Sequence, residues 1–103
     1  MDVDIVNEYL IGVYSGVCFS GKMKFQPIVI NNFIKVVNIM KSLPRIEALY
    51  KFNSLHYKKL AGDKSGLSSV RITDQYRLEF LEIGDSKGII TRLTILALTN
   101  HYK

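Results

Sequence analysis

Residues 55–66 read LHYKKLAGDKSG, so a histidine, a tyrosine and two lysines run into a Gly-Asp-Lys-Ser-Gly turn. Histidine exchanges protons near neutral pH, because its unperturbed pKa is about 6.5. Lysine and arginine supply fixed positive charge, and Lys58, Lys59, Lys64, Arg71 and Arg77 fall within 20 positions, accompanied by Tyr57 and Tyr76. Cations interleaved with aromatics suit single-stranded RNA, which offers phosphates to the charges and unstacked bases to the rings. The chemistry in view is therefore phosphate handling. A nucleotide cradle of the Walker kind is a poor match, since Gly62-Asp63-Lys64-Ser65-Gly66 lacks its spacing and no helix is expected after it. The plainer alternative is a solvated basic face balanced by Glu79 and Glu82.

The elements that must position these residues change character halfway along the chain. In segment 3–14, Val3, Val6, Tyr9, Leu10, Val13 and Tyr14 recur at spacings of three and four, which predicts mostly helix with room for a short strand before it. GVCFSGKMK then reads as a loop. In FQPIVINNFIKVVNIMKSLP, Pro27 suits a first helical turn, and Val29, Ile30, Phe33, Val37 and Met40 line one face. Pro44 closes that helix, because the residue before a proline is pushed out of the helical region. RIEALYKF adds a turn or two with Ile46, Leu49 and Tyr50 inward. From there the period becomes that of strands: SSVRI and YRLEFLEI alternate, and IITRLTILAL is apolar on both faces. Helices first and an antiparallel sheet after them make an α+β domain.

The turn between SSVRI and YRLEF sets the chemistry, because a one-residue slip in register sends every side chain to the opposite face. A three-residue loop of Thr73, Asp74 and Gln75 puts Ile72 opposite Tyr76 and Val70 opposite Leu78, one consistently apolar face. Arg71 then lies opposite Arg77 on the other face. A two-residue loop would instead mix charged with apolar partners, so the longer loop is expected. Two like charges directly opposite destabilise a sheet by about 0.2–1 kcal/mol unless an anion sits between them. That anion is either Glu79 or a phosphate.

Composition narrows the class. A chain of 103 residues, 48% hydrophobic and 22% charged, suits one domain spanning 1–103. Fourteen Lys and Arg against nine Asp and Glu give a formal charge of +5, which makes a polyanion a reasonable partner. The single cysteine, Cys18, excludes an intrachain disulfide, and with only His56 and His101 beside it leaves too few soft ligands for zinc. The expectation is a reducing cytoplasm, no cofactor and metal-free chemistry. MDVDIVNEYL opens with acids, the wrong charge for a secretory signal, and IITRLTILAL is too short to cross a bilayer as a helix. No membrane association is expected.

LHYKKLAGDKSGLSSVRITDQYRLEF, followed by a terminal strand and HYK, resembles the HigB branch of the RelE/ParE toxin superfamily, the toxins of bacterial type II toxin–antitoxin pairs. The shared pattern is a Leu-x-Gly-Asp turn, a strand with a serine and a basic residue, Gln-Tyr-Arg opening the next strand, and a short C-terminal motif. The match is close over 55–83 and loose over the whole helix-helix-sheet order. It implies helices packed on a curved antiparallel sheet and a ribosome-dependent endoribonuclease that cuts mRNA during translation. It also implies a cognate HigA-like helix-turn-helix antitoxin, through which alone the toxin meets operator DNA. His56 stands for the family's histidine ahead of the turn, Arg77 for the arginine of Gln-Tyr-Arg and Tyr102 for the terminal tyrosine. His101 and Lys103 then take the flanking positions. Ala61 stands where the family often has lysine, and the terminal motif is HYK rather than DYH.

Metal-free RNA cleavage needs a base for the 2′-hydroxyl, an acid for the departing 5′-oxygen and positive charge for the transition state. His56 and His101 are candidates for proton transfer, each such role contributing about 10²–10⁴-fold. Arg77, with Arg71 or Lys103, would hold the phosphate through forked donors, and Tyr102 would donate a proton or stack on a base. Lys58, Lys59, Lys64 and Arg71 are the candidate RNA-binding cations. Two other readings compete: a toxin of the same fold that acts on DNA gyrase, as in the ParE branch, and a non-catalytic RNA-binding module.

Overall fold

The computed structural model describes residues 1–16 and 25–100. The loop reading of GVCFSGKMK and the residue Cys18 therefore fall largely or wholly outside the described residues, as do His101, Tyr102 and Lys103. Strand β1 (Asp2–Ile5) precedes helices α1 (Glu8–Ser15), α2 (Pro27–Ser42) and α3 (Ile46–Tyr50). A 3-10 turn at Asn53–Leu55 leads into β2 (Lys58–Lys59), and a second at Gly62–Lys64 leads into β3 (Ser68–Arg71), β4 (Arg77–Gly84) and β5 (Ile90–Thr99).

The helix expected over 3–14 begins only at Glu8, because Asp2–Ile5 pair as strand β1 and Val6 is exposed between the two, whereas α2 and α3 lie where their sequence directs. Asn7 caps α1, its side-chain oxygen accepting from the Leu10 amide at 3.1 Å, which satisfies one of the donors a helix start leaves open. Pro27 occupies the first turn of α2, where its missing N–H costs nothing. Val29, Phe33, Val37 and Met40 of that helix are buried, at the spacing that the apolar stripe predicts, and Ile30 is partly buried beside them. The helix stops at Ser42, two residues before Pro44. In α3, Ile46 and Leu49 point inward as expected, but Tyr50 is 41% exposed. Its hydroxyl is drawn to a carboxylate on the sheet, which an apolar stripe does not foretell.

The five strands lie in the order β1-β5-β4-β3-β2. The register between β3 and β4 is the one the apolar faces demand: Val70 pairs with Leu78, Arg71 with Arg77, and the Ile72 amide donates to the Tyr76 carbonyl at 2.9 Å. Thr73, Asp74 and Gln75 form the connection. The sheet is not antiparallel throughout, because β1 joins β5 in parallel. IITRLTILAL thus lies between two strands, with β4 rather than β5 at the centre of the sheet. Asp2 and Asp4 of β1 both reach Arg92 of β5, the first at 3.9 Å, which ties this edge strand to the sheet. The register between β4 and β5 shifts at Glu79/Phe80 and again at Ile83/Gly84, and such irregularities bend a strand.

The core lies between the helices and one face of the sheet. Leu10, Phe33, Val37, Met40 and Leu49 meet Val70, Leu78, Phe80, Leu93 and Ile95, each at most 2% exposed. The opposite face carries Ser69, Arg71, Arg77 and Glu79.

Candidate functional site

Arg77 opens β4 and reaches back across β3. Its Nε donates to the Ser69 Oγ at 2.9 Å, and one of its terminal nitrogens donates to the main-chain carbonyl of His56. A planar guanidinium held at two points has a fixed orientation, which a flexible cation lacks. Ser69 itself is fully buried, so this grip is anchored in the sheet and not in solvent.

His56 follows the Asn53–Leu55 turn and adopts a left-handed backbone, φ 47° and ψ 55°. Among the described residues it is the only non-glycine with a positive φ. That conformation costs an L residue about 1 kcal/mol or more and persists only when its surroundings over-determine it. The turn places exposed His56 at an open cleft of about 300 Å³ that it lines with Tyr57, Lys58 and Arg77. Three of the cations and proton carriers expected from sequence therefore meet in one place. Lys59, the neighbour of Lys58 on an exposed two-residue strand, instead lends its charge to the far side, where it acts on Glu82.

Two expected RNA-binding residues have other partners. The Lys64 ammonium lies 2.6 Å from the carboxylate of Glu79, which is 4% exposed. Arg71 pairs with Asp74 in its own hairpin and borders a separate groove beside α2 with Lys35 and Asn32. Across β3 and β4 the two arginines turn to different partners, Arg71 to Asp74 and Arg77 to Ser69 and the His56 carbonyl, and Glu79 takes Lys64 among its partners. Nor do Glu79 and Glu82 share a solvated face. Glu79 is buried, and Glu82 stands on the helix side of the sheet.

Glu82 is the centre of a polar cluster that the sequence reading did not single out. It accepts from the hydroxyls of Ser68 at 2.5 Å, Tyr50 at 2.8 Å and Tyr57, and the Tyr57 and Ser68 hydroxyls are 3.1 Å apart. Burial alone would push this carboxyl up, but the three hydroxyl donors and the charge of Lys59 hold it below its ordinary value. Tyr57 is driven the other way, well above the usual phenol range, first by burial and then by its bond to Glu82. Tyr50 is raised for the same two reasons. The signal in the sequence was a carboxylate two residues after Phe80, on the apolar side of an alternating strand.

Thr99, the last residue of β5, is the register partner of Arg77, and its hydroxyl is buried with no hydrogen-bond partner among the described residues. The HYK motif begins two residues further along the chain. Among the described residues no group of three histidine, cysteine or acidic side chains is placed to hold a metal ion, and no helix is long and apolar enough to cross a membrane.

No family model matches this sequence, and no curated protein matches it either. Solved structures do match over nearly the full chain. A YoeB/ParE toxin from Agrobacterium tumefaciens superposes with a TM-score of 0.60 at 17% identity, covering 99% of this chain and all of that one. This chain has the fold of these toxins. The YoeB-YefM complex from Staphylococcus aureus gives 0.56 at 13% identity, with 99% of this chain and 98% of that one covered. A YoeB dimer from the same organism gives 0.50 at 14% identity over the same shares. The toxin fold accounts for the helices on one side of a five-stranded sheet. At these identities the likeness is one of fold, and the site must be argued from its own residues.

Proposed function

We propose that the protein is the toxin of a type II toxin–antitoxin pair and cuts translated mRNA as a metal-free endoribonuclease in the cytoplasm. The observation that carries this reading is the convergence of His56, Lys58 and Arg77 on one cleft, with Arg77 oriented by Ser69. Such an arrangement supplies a group that can move a proton, a fixed guanidinium for the scissile phosphate and a second cation for the neighbouring one. Ribose itself supplies the nucleophile: the 2′-oxygen attacks phosphorus, its proton passes to a base, and the 5′-oxygen leaves with a proton from an acid. His56 is one of that pair. Its counterpart is sought in the terminal His101, Tyr102 and Lys103, since β5 ends at Thr99 opposite Arg77.

The Leu-x-Gly-Asp and Gln-Tyr-Arg motifs favour a HigB-like toxin, with ribosomes and translated mRNA as targets and a HigA-like antitoxin as inhibitor. A structural neighbour solved as the YoeB-YefM complex supports an antitoxin partner in general terms. A purified translation reaction with a defined mRNA tests the reading, mapping new 5′ ends with wild type, with Arg77→Ala and with ribosomes omitted. Cuts inside the reading frame that require both Arg77 and ribosomes are expected. A folded, antitoxin-binding protein that makes none would overturn nuclease activity and favour the gyrase or RNA-binding alternatives.

A further inference from the structure

His56 sits between two anchors on opposite faces of the sheet. Its carbonyl accepts from Arg77 on one face. The next side chain, Tyr57, turns to the other face, where its hydroxyl bonds Glu82 and its ring lies 4.6 Å from Tyr50 and 6.3 Å from Phe80, centroid to centroid. Both anchors come from the same strand, Arg77 at its start and Glu82 further along. His56, the left-handed residue that closes the Asn53–Leu55 turn, lies between these two anchors.

We propose that Tyr57 and Glu82 are positioning residues for His56, holding its backbone in the left-handed conformation that keeps the imidazole in the cleft with Arg77. The proposal rests on the nuclease reading for its catalytic meaning, though not for its structural content. A half-buried carboxylate on the apolar side of β4 calls for hydrogen-bond partners. Glu82 meets that requirement with three hydroxyls from three separate segments: α3, the residue after His56, and β3. A tie that merely joined α3 to the sheet would need only Tyr50. The bond to Tyr57 is the one that bears on the catalytic loop, because it fixes the residue adjoining the imidazole.

The test compares wild type, Tyr57→Phe, Glu82→Gln and Glu82→Leu in the full chain by two independent measurements. The first is NMR: the amide and Cα shifts of residue 56, which report its left-handed backbone, and the ring-nitrogen signals of His56, assigned with His56→Gln. The second is cleavage of a defined mRNA on ribosomes, with kcat and KM separated. Tyr57→Phe keeps the ring and loses only the hydroxyl. It should move the residue 56 shifts toward extended values and lower kcat about 10–100-fold with KM nearly unchanged. Glu82→Gln, whose amide oxygen still accepts, should do less than Glu82→Leu. Unaltered residue 56 and ring signals in Tyr57→Phe and Glu82→Leu overturn the proposal whatever happens to stability. If wild type makes no cuts at all, the nuclease reading falls, while the NMR measurement still decides whether Tyr57 and Glu82 hold His56.

Discussion

The Arg77 guanidinium donates to the main-chain carbonyl of His56, a residue 21 positions earlier in the chain. One side chain thus serves two ends: it would face the phosphate, and it secures the loop that carries the proton-transfer candidate. Lysine at this position would keep the charge but could not span Ser69 and His56 with a rigid fork. Arg77→Lys is expected to lose about 10-fold or more in cleavage rate and about 1–2 kcal/mol of stability, as charge-assisted hydrogen bonds are given up. Single-turnover cleavage and urea denaturation of the same preparation measure the two effects. A lysine variant with full activity would mean that charge alone suffices.

The Glu82 cluster contributes to the pH dependence of stability at both extremes. A carboxyl held below its ordinary value in the folded state contributes stability that is present above about pH 4.3 and disappears as pH falls through the lower folded value. A phenol raised in the folded state contributes stability that is complete below about pH 10 and is lost as pH rises beyond it. Glu82→Gln should therefore flatten the acid limb of the stability profile, and Tyr57→Phe the alkaline limb. Urea midpoints at about pH 3, 5, 7 and 10.5 distinguish the two.

How much of this was legible in the sequence depends on the distance over which each feature is decided. The register of β3 against β4 was readable because the hairpin is local and only one loop length keeps Val70, Ile72, Tyr76 and Leu78 on one face. The stripe of α2 was readable for the same reason. The parallel pairing of β1 with β5 was not, since no local signal joins Asp2 to Arg92. Tyr50 shows the limit most clearly. Its spacing from Ile46 placed it inward, whereas its position is decided by Glu82, 32 residues away. Of the candidate site, His56, Lys58 and Arg77 were proposed from residue type and resemblance, but Ser69 as the support of Arg77 needed the fold.

The basic residues divide into two groups that should respond differently. Lys58 and Lys59 are exposed on a two-residue strand, whereas Lys64 serves the buried Glu79. Lys58→Gln and Lys59→Gln are expected to leave stability within about 0.5 kcal/mol of wild type. With Lys58 at the cleft and Lys59 turned toward Glu82, loss of Lys58 as a phosphate contact lowers the slope of log affinity against log salt by about 0.7 for single-stranded RNA, and loss of Lys59 changes it less. Lys64→Met should do the reverse, costing about 1–3 kcal/mol by removing a charge partner from a buried carboxylate. Salt titrations of RNA binding set beside urea midpoints for the three variants separate contact from support. A large salt effect in Lys64→Met at unchanged stability would return that residue to the RNA-binding set.

Asn7 joins the first helix to the sheet at the level of a single amide. Its oxygen caps α1 through the Leu10 amide, while its nitrogen donates to the Leu96 carbonyl on β5 at 3.4 Å. Leu96 lies where the β4 and β5 register shifts, between Ala97 and Ile95, the partners of Glu79 and Phe80. Asn7→Ala should cost about 1 kcal/mol, the usual loss of a cap. Asn7→Asp separates the two bonds, because a carboxylate still caps the helix and is favoured by its N-terminal dipole, yet presents an acceptor to the Leu96 carbonyl. If the cap dominates, aspartate is close to wild type in thermal midpoint. If the link to β5 dominates, aspartate falls as far as alanine, and amide exchange quickens along Leu96–Leu98 rather than along α1.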